Sequence, residues 1–149
     1  MLPSFEHSNS IYNLELQRNN FSGSIPKDII NCQNLLTISL SQNDLTRVIP
    51  TELESLSGIA NIDLSHNALT SMIPLYFHNC ITIESFSVYF NHLVGPIPLD
   101  GIFRNITTSS FVGNQGLCGG LLTKSPCMNS NGLNPSSNYY HATKKIGPT

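Results

Sequence analysis

A period of 24 residues runs through this sequence four times without an insertion. Ile11, Leu35, Ile59 and Ile83 open the units, followed by Leu14, Ile38, Ile62 and Phe86, and then by Leu16, Leu40, Leu64 and Val88. Asn19, Asn43, Asn67 and Asn91 form an unbroken polar column, and Phe21, Leu45, Leu69 and Leu93 come two residues later. Ile25-Pro26, Ile49-Pro50, Ile73-Pro74 and Ile97-Pro98 close the pattern. Repeats of this size stack into a solenoid, because one coil cannot bury its apolar side alone and does so against its neighbours.

Each column has a physical meaning. The alternation in Leu14-Glu15-Leu16 and Ile62-Asp63-Leu64 predicts a short strand with aliphatics on one face and polar groups on the other. Strands that recur after one full coil must run parallel, with their inner side buried. The asparagine column supplies a small side chain with both donor and acceptor, suited to backbone groups of adjacent coils that are otherwise buried and unpaired. Ile-Pro fixes an extended stretch on the far side, where no ladder hydrogen bond is lost. In the second unit Leu35, Ile38, Leu40, Leu45, Ile49, Leu53 and Leu56 are the expected interior. At about 1.5–3 kcal/mol per buried aliphatic, such a unit offsets much of its ordering entropy, but only when neighbours cover it.

Residues 1–10 read as the tail of a fifth, incomplete unit, with Leu2-Pro3 standing one residue out of phase with the Ile-Pro column. The expectation is a chain that starts mid-repeat with an uncapped first coil. On this expectation it is the C-terminal part of a longer solenoid and would be marginal and aggregation-prone alone.

Composition narrows the function classes. The 149 residues suit one domain, and 40% apolar against 11% charged content is not that of a charged disordered chain. A net charge of −2, with seven scattered Lys and Arg, excludes a nucleic-acid partner. No apolar run approaches the ~20 residues of a membrane span, and residues 1–8 show no secretory leader. The histidines (7, 66, 78, 92 and 141) are dispersed, and neither Gly-x-Ser-x-Gly nor His-Glu-x-x-His occurs. Neither a catalytic constellation nor a cofactor is expected.

The unit L-x-x-L-x-L-x-x-N-x-L-x-x-x-I-P resembles the plant-specific class of extracellular leucine-rich repeats. Beyond it, Gly101-Ile102-Phe103-Arg104-Asn105, Ser110-Phe111-Val112-Gly113-Asn114-Gln115-Gly116-Leu117-Cys118-Gly119 and Cys127 are similar to the C-terminal cap of plant leucine-rich-repeat receptor kinases. Asp63-Leu64-Ser65-His66-Asn67, Glu84-Ser85-Phe86, Gly95-Pro96-Ile97-Pro98 and Lys144-Lys145-Ile146-Gly147 are similar in wording to a group of CLE-type peptide receptors within that family.

The resemblance implies a leucine-rich-repeat solenoid with short parallel strands on a concave face and an irregular or 3-10 convex side. It divides the chain into an incomplete repeat (1–10), four repeats (11–106), a cap (107–127) and a disordered juxtamembrane-like tail (128–149) rich in Asn, Ser, Pro and Gly. It places the parent protein on the extracellular face of the plasma membrane. The family's kinase signatures (a Gly-rich loop, His-Arg-Asp, Asp-Phe-Gly) are absent, so no enzyme activity carries over. The family's peptide-anchoring Arg-x-Arg is absent too, the arginines being Arg18, Arg47 and Arg104. Arg47 and Ser71 replace the glycine kept at Gly23 and Gly95.

What remains corresponds to the membrane-proximal repeats, where related receptors dock a co-receptor kinase of the somatic-embryogenesis type. A small secreted peptide would bind through upstream repeats. The family cap implies a Cys118–Cys127 disulfide, which a secreted context permits, whereas zinc would need two further ligands. Cys32 and Cys80 lie two strand steps, roughly 9–10 Å, apart, beyond the ~7 Å reach of a bridge, and are expected to be small buried hydrophobes.

Two glycosylation sequons occur, Asn20-Phe21-Ser22 and Asn105-Ile106-Thr107. Partner recognition is expected on the solvent face of the strands. It offers Tyr12, Asn13, Glu15, Gln17 and Arg18, then Thr37, Ser39, Ser41 and Gln42, then Asn61, Asp63, Ser65 and His66, then Ser85, Ser87, Tyr89 and Phe90. The candidate contacts are Glu15, Gln17, Asp63, Ser65, His66, Tyr89 and Phe90. The adjacent aromatics invite a hot-spot reading, with packing onto the cap as the alternative for Phe90, and His66 is either a pH sensor or a solvated side chain. The function expected is a protein-binding piece of a receptor ectodomain. The alternatives are a secreted inhibitor of a cell-wall hydrolase, against which the Lys144-Lys145 tail counts, and a truncated gene product without activity.

Overall fold

A computed structural model describes residues 1–120, 122 and 127; the tail 128–149, with Lys144 and Lys145, lies outside the described residues. Each coil contributes two short strands. In chain order they are β1 (Asn13–Glu15), β2 (Ser22–Gly23), β3 (Thr37–Ser39), β4 (Asp44–Arg47), β5 (Asn61–Asp63), β6 (Ala68–Leu69), β7 (Ser85–Ser87), β8 (Val94–Pro96) and β9 (Gly116–Cys118). The main sheet is parallel in the order β1-β3-β5-β7, and its register pairs Leu14 with Ile38, Ile38 with Ile62 and Ile62 with Phe86. The 24-residue offset is therefore the sheet register itself. A second parallel ladder, β2-β4-β6, runs along the flank, and β8 pairs with β9 in the cap.

The far side of each coil is a 3-10 helix: Lys27–Asn31, Thr51–Ser55 and Leu75–Asn79. All three begin directly after the proline of Ile-Pro, at Pro26, Pro50 and Pro74. The ring fixes φ and the missing N–H falls where the helix start would leave it unbonded.

The interior columns are dry. Leu35, Ile38, Leu40, Leu45, Ile49, Leu53 and Leu56 are all buried. Toward the C-terminus aliphatic rungs give way to an aromatic plug, in which Phe86 takes the place of Ile62 and meets Phe77 at 5.4 Å and Phe103 at 5.7 Å between ring centroids. Phe111 completes it, 6.3 Å from Phe103. Such tilted and edge contacts suit the ring quadrupoles. Leu2 and Phe5 are buried at the other end. There the Asp28 carboxylate accepts from the Ser4 hydroxyl at 2.6 Å and the Phe5 N–H at 2.9 Å. Phe5 lies 24 residues before Ile29 and so stands in phase with the repeat.

Asparagine side chains tie one coil to the next. Asn67 donates to the Leu40 carbonyl of the preceding coil at 3.0 Å and to Leu64 and Ser65 of its own, and its Oδ1 accepts from the Leu45 N–H at 2.9 Å. Asn43 makes the same set with Leu16, Leu40, Ser41 and Phe21. Asn91 does so with Leu64, Val88 and Leu69. Asn19 is exposed and bonds only the Leu16 and Gln17 carbonyls of its own coil. The column continues past the fourth repeat: Asn114 donates to Val88 at 2.9 Å and Phe111 at 3.0 Å, and accepts from Leu93 at 3.0 Å. Residues 108–118 thus form one more, shortened coil, and a disulfide between Cys118 and Cys127 closes it.

The expectation for the other cysteines needs one correction. Both are free and Cys32 is buried, but Cys80 is partly exposed. The surface opens beside it, in a cleft between the 3-10 helices Thr51–Ser55 and Leu75–Asn79 that Glu54, Leu56, Tyr76 and Cys80 help to line. Burial pushes both thiols up, helped by Asp28 beside Cys32 and Glu54 beside Cys80.

At the ends of β2 and β4, just past β6 and within β8, the backbone turns left-handed at equivalent points of the coil: φ is +84° at Gly23, +69° at Arg47, +74° at Ser71 and +86° at Gly95. Two L-residues therefore occupy a glycine position. Replacing Arg47 or Ser71 by Gly is expected to raise stability by about 0.5–1 kcal/mol each, since the left-handed strain of about 1–2 kcal/mol exceeds the extra chain entropy of glycine; urea melts check this. Asn91→Ala should cost about 2–4 kcal/mol, because several buried backbone groups lose their partner, whereas Asn19→Ala should change the same melts by less than about 0.5 kcal/mol.

Candidate functional site

The outward side of the main sheet is set by what happens just past each strand. Arg18, Gln42, His66 and Phe90 occupy one column, and all four are left-handed, with φ of 57°, 55°, 51° and 53°. This turn directs each of their side chains to solvent, and all four are exposed. In the cap the column ends at Gly113, also left-handed at φ 77°, where a Cβ would stand 2.6 Å from the Phe90 ring. Glycine is required there for space as well as for conformation.

The column also brings three rings together. His66 stacks on Phe90 at 4.8 Å with 12° between planes and meets Tyr89 edge-on at 4.9 Å. Tyr89 and Phe90 pack edge-to-face at 5.8 Å. His66 leaves the coil of β5 and the other two leave the coil of β7, so the register of adjacent coils sets the stack. Phe90 remains 52% exposed, and Val112 beside it 44%. A cleft of about 290 Å³ opens here between the last repeat and the cap, lined by Ser87, Tyr89, Phe90, Ser109, Ser110 and Val112. The Ser87 hydroxyl is buried without a hydrogen-bond partner, so what the cleft presents to solvent is chiefly the apolar carbon of Phe90 and Val112.

The remaining candidates separate. Glu15 and Gln17 are exposed but lie on the first coil, three strand spacings or about 14 Å from β7. Asp63 is half-buried, and its carboxylate accepts the Ser65 N–H at 3.0 Å, which commits it to the bend after β5. Ser65 must be withdrawn as a contact: it is 0% exposed and its hydroxyl has no partner. Ser41 in the same column is buried too, whereas Gln17 is exposed and Tyr89 half-buried. On one backbone geometry, side-chain length decides which of these residues clears its neighbours, and serine does not. Asn20 and Asn105, the two sequon asparagines, are both exposed.

Sequence reasoning missed the cap's contribution of Ser109, Ser110 and Val112. The signal was present: Phe111-Val112-Gly113-Asn114 repeats the spacing of Val88-Tyr89-Phe90-Asn91, but 23 residues on instead of 24. The backbone confirms the match, with Val88 N–H donating to Ser110 and Phe90 N–H to Val112. Among the described residues no group of His, Cys, Asp or Glu is placed to hold a metal ion, and no helix is long and apolar enough to cross a membrane.

Known proteins bear on this surface. A leucine rich repeat family model matches residues 9–93. No curated protein matches the sequence. Among solved structures, the BIR2 ectodomain from Arabidopsis thaliana is 36% identical with a TM-score of 0.70, over 75% of this chain and 59% of that one. A TDR receptor is 45% identical with a TM-score of 0.73, over 77% of this chain and 20% of that one. The Arabidopsis receptor kinase HAESA, in complex with the peptide hormone IDA and the co-receptor SERK1, is 33% identical with a TM-score of 0.63, over 74% of this chain and 18% of that one. The chain spans less than two thirds of the length of each. These neighbours are plant receptor ectodomains, whose leucine-rich-repeat fold is a non-catalytic binding module.

Proposed function

This chain belongs to the leucine-rich repeat family, and on that footing we propose that it serves as the membrane-proximal, partner-docking end of a plant peptide-receptor ectodomain. The partner in this reading is a co-receptor of the somatic-embryogenesis receptor-kinase type. A small secreted peptide, held by further coils of the parent receptor, is the second. The parent stands on the extracellular face of the plasma membrane. The observation that carries the proposal is the ring cluster beside the cap cleft, in which His66 and Phe90 are exposed and Tyr89 is half-buried.

Several features support it. Aromatic side chains dominate interface energies, most of all when they sit on a rigid support. Here the support is a paired strand and an asparagine rung on either side. The HAESA complex, with its bound peptide and SERK1, is an instance of the two-partner arrangement in a similar ectodomain. Glu15 and Gln17, on the distant coil, fall outside the docking surface and have no part in this reading.

The test is binding of a co-receptor ectodomain to the full chain immobilised on a sensor surface. Tyr89→Ala is expected to weaken it by about 30-fold, the equivalent of a 2 kcal/mol hot spot, while Tyr12→Ala on the first coil leaves it unchanged. Equal affinity for wild type and Tyr89→Ala, or no binding by the wild-type chain, rejects the reading.

A further inference from the structure

We infer that Asn105 carries an N-linked glycan whose innermost sugar seats against Ile81, on a face separate from the ring cluster. Ile81 is 93% exposed. The same column holds Gln33 and Ser57 in the two preceding coils, so a polar position has become apolar in the coil next to the cap. Beside it lies a cleft of about 380 Å³ lined by Ile81, Ile83, Glu84, Gly101, Ile102, Asn105 and Ile106. That volume falls in the range of about 300–1,000 Å³ that holds small ligands. Four isoleucines wall it, and the exposed Asn105 and Glu84 line it with them.

An N-acetylglucosamine ring suits such a notch. Its C–H face covers apolar carbon, and its hydroxyls point outward, where the Glu84 carboxylate accepts from one of them. The attachment point is also accessible. Asn105-Ile106-Thr107 lies between the 3-10 helices Gly101–Arg104 and Thr108–Phe111, outside every strand ladder among the described residues. In the other sequon, Phe21 donates its N–H to Asn43 and accepts from the Asp44 N–H, and Ser22 enters β2. The Cys118–Cys127 disulfide places the cap in an oxidising compartment, which is where glycosylation of asparagine takes place.

The transfer itself needs a lipid-diphosphate-linked oligosaccharide and its transferase. The Asn105 amide nitrogen bonds to C1 of the sugar, the C1–O bond to diphosphate breaks, the lipid diphosphate leaves with the electron pair, and the amide gives up one proton to a base of the transferase. Occupancy of Asn105 does not depend on the docking proposal and is read separately from it.

The full chain, expressed through the secretory pathway of plant cells, is treated with an amidase that removes N-glycans in heavy-oxygen water, and its peptides are mapped by mass. Isotope-labelled Asp is expected at position 105. Hydroxyl-radical oxidation of Ile81 should be severalfold lower in the glycosylated chain than in Asn105→Gln, and Thr107→Ala should match Asn105→Gln. Should either variant misfold, wild-type chain deglycosylated after purification replaces it. Absence of label at 105 overturns the proposal. So does equal oxidation of Ile81 with and without the glycan.

Discussion

The structure depends on one side-chain amide shared between two coils. Strands of two to four residues form few ladder bonds each, too few to fix how one coil sits on the next. Asn43, Asn67, Asn91 and Asn114 supply what the strands lack. Each donates to a carbonyl of the preceding coil (Leu16, Leu40, Leu64 and Val88) and accepts an N–H from it (Phe21, Leu45, Leu69 and Leu93). The carbonyls lie just past the main-sheet strands and the N–H groups in or beside the flank strands, at points the backbone ladders leave open, so without the amide they would be buried and unpaired. Holding the bend at the same place in every coil also holds the left-handed residue just before it. For that reason His66 and Phe90 arrive at stacking distance.

Much of this was legible in the sequence, because a solenoid turns periodicity directly into register. The 24-residue columns give the strand partners Leu14, Ile38, Ile62 and Phe86, the seven buried aliphatics of the second coil and the asparagine column. The unread parts share a cause: they depend on departures from the period or on side-chain reach. Asn114 escaped because the cap coil is one residue shorter. The flank ladder left no alternation to detect, since β2 and β6 are only two residues long. Ser41 and Ser65 look solvent-facing by alternation, yet a serine ends below the level of the groups around it. Arg47 and Ser71 were visible as missing glycines, but only the dihedral angles show that they keep the glycine conformation.

The two ends of the solenoid are built differently, and this locates the proposed function. The first coil is partly covered by Leu2 and Phe5 and held by Asp28, while its Asn19 reaches no other coil. The last coil is backed by the phenylalanine plug inside and by a disulfide-closed cap outside. A rigid, exposed aromatic platform needs that kind of backing, because a contact residue contributes most when little of its freedom remains to be lost on binding. The inferred glycan at Asn105 fits the same division of labour. It covers an apolar notch whose lining shares no residue with the cleft at Ser87, Tyr89 and Val112, leaving one face of the cap for contact and one for solvent.

Amide hydrogen exchange, read residue by residue by NMR, tests the shared-amide account most directly. The N–H groups of Leu45, Leu69 and Leu93, whose acceptors are asparagine side chains and not backbone carbonyls, should exchange together and as slowly as the amides of the main sheet. Exchange of these three at the rate of unprotected amides, with the sheet still protected, would mean that the coils are stacked by strands and aliphatics alone and that the asparagines only fill space.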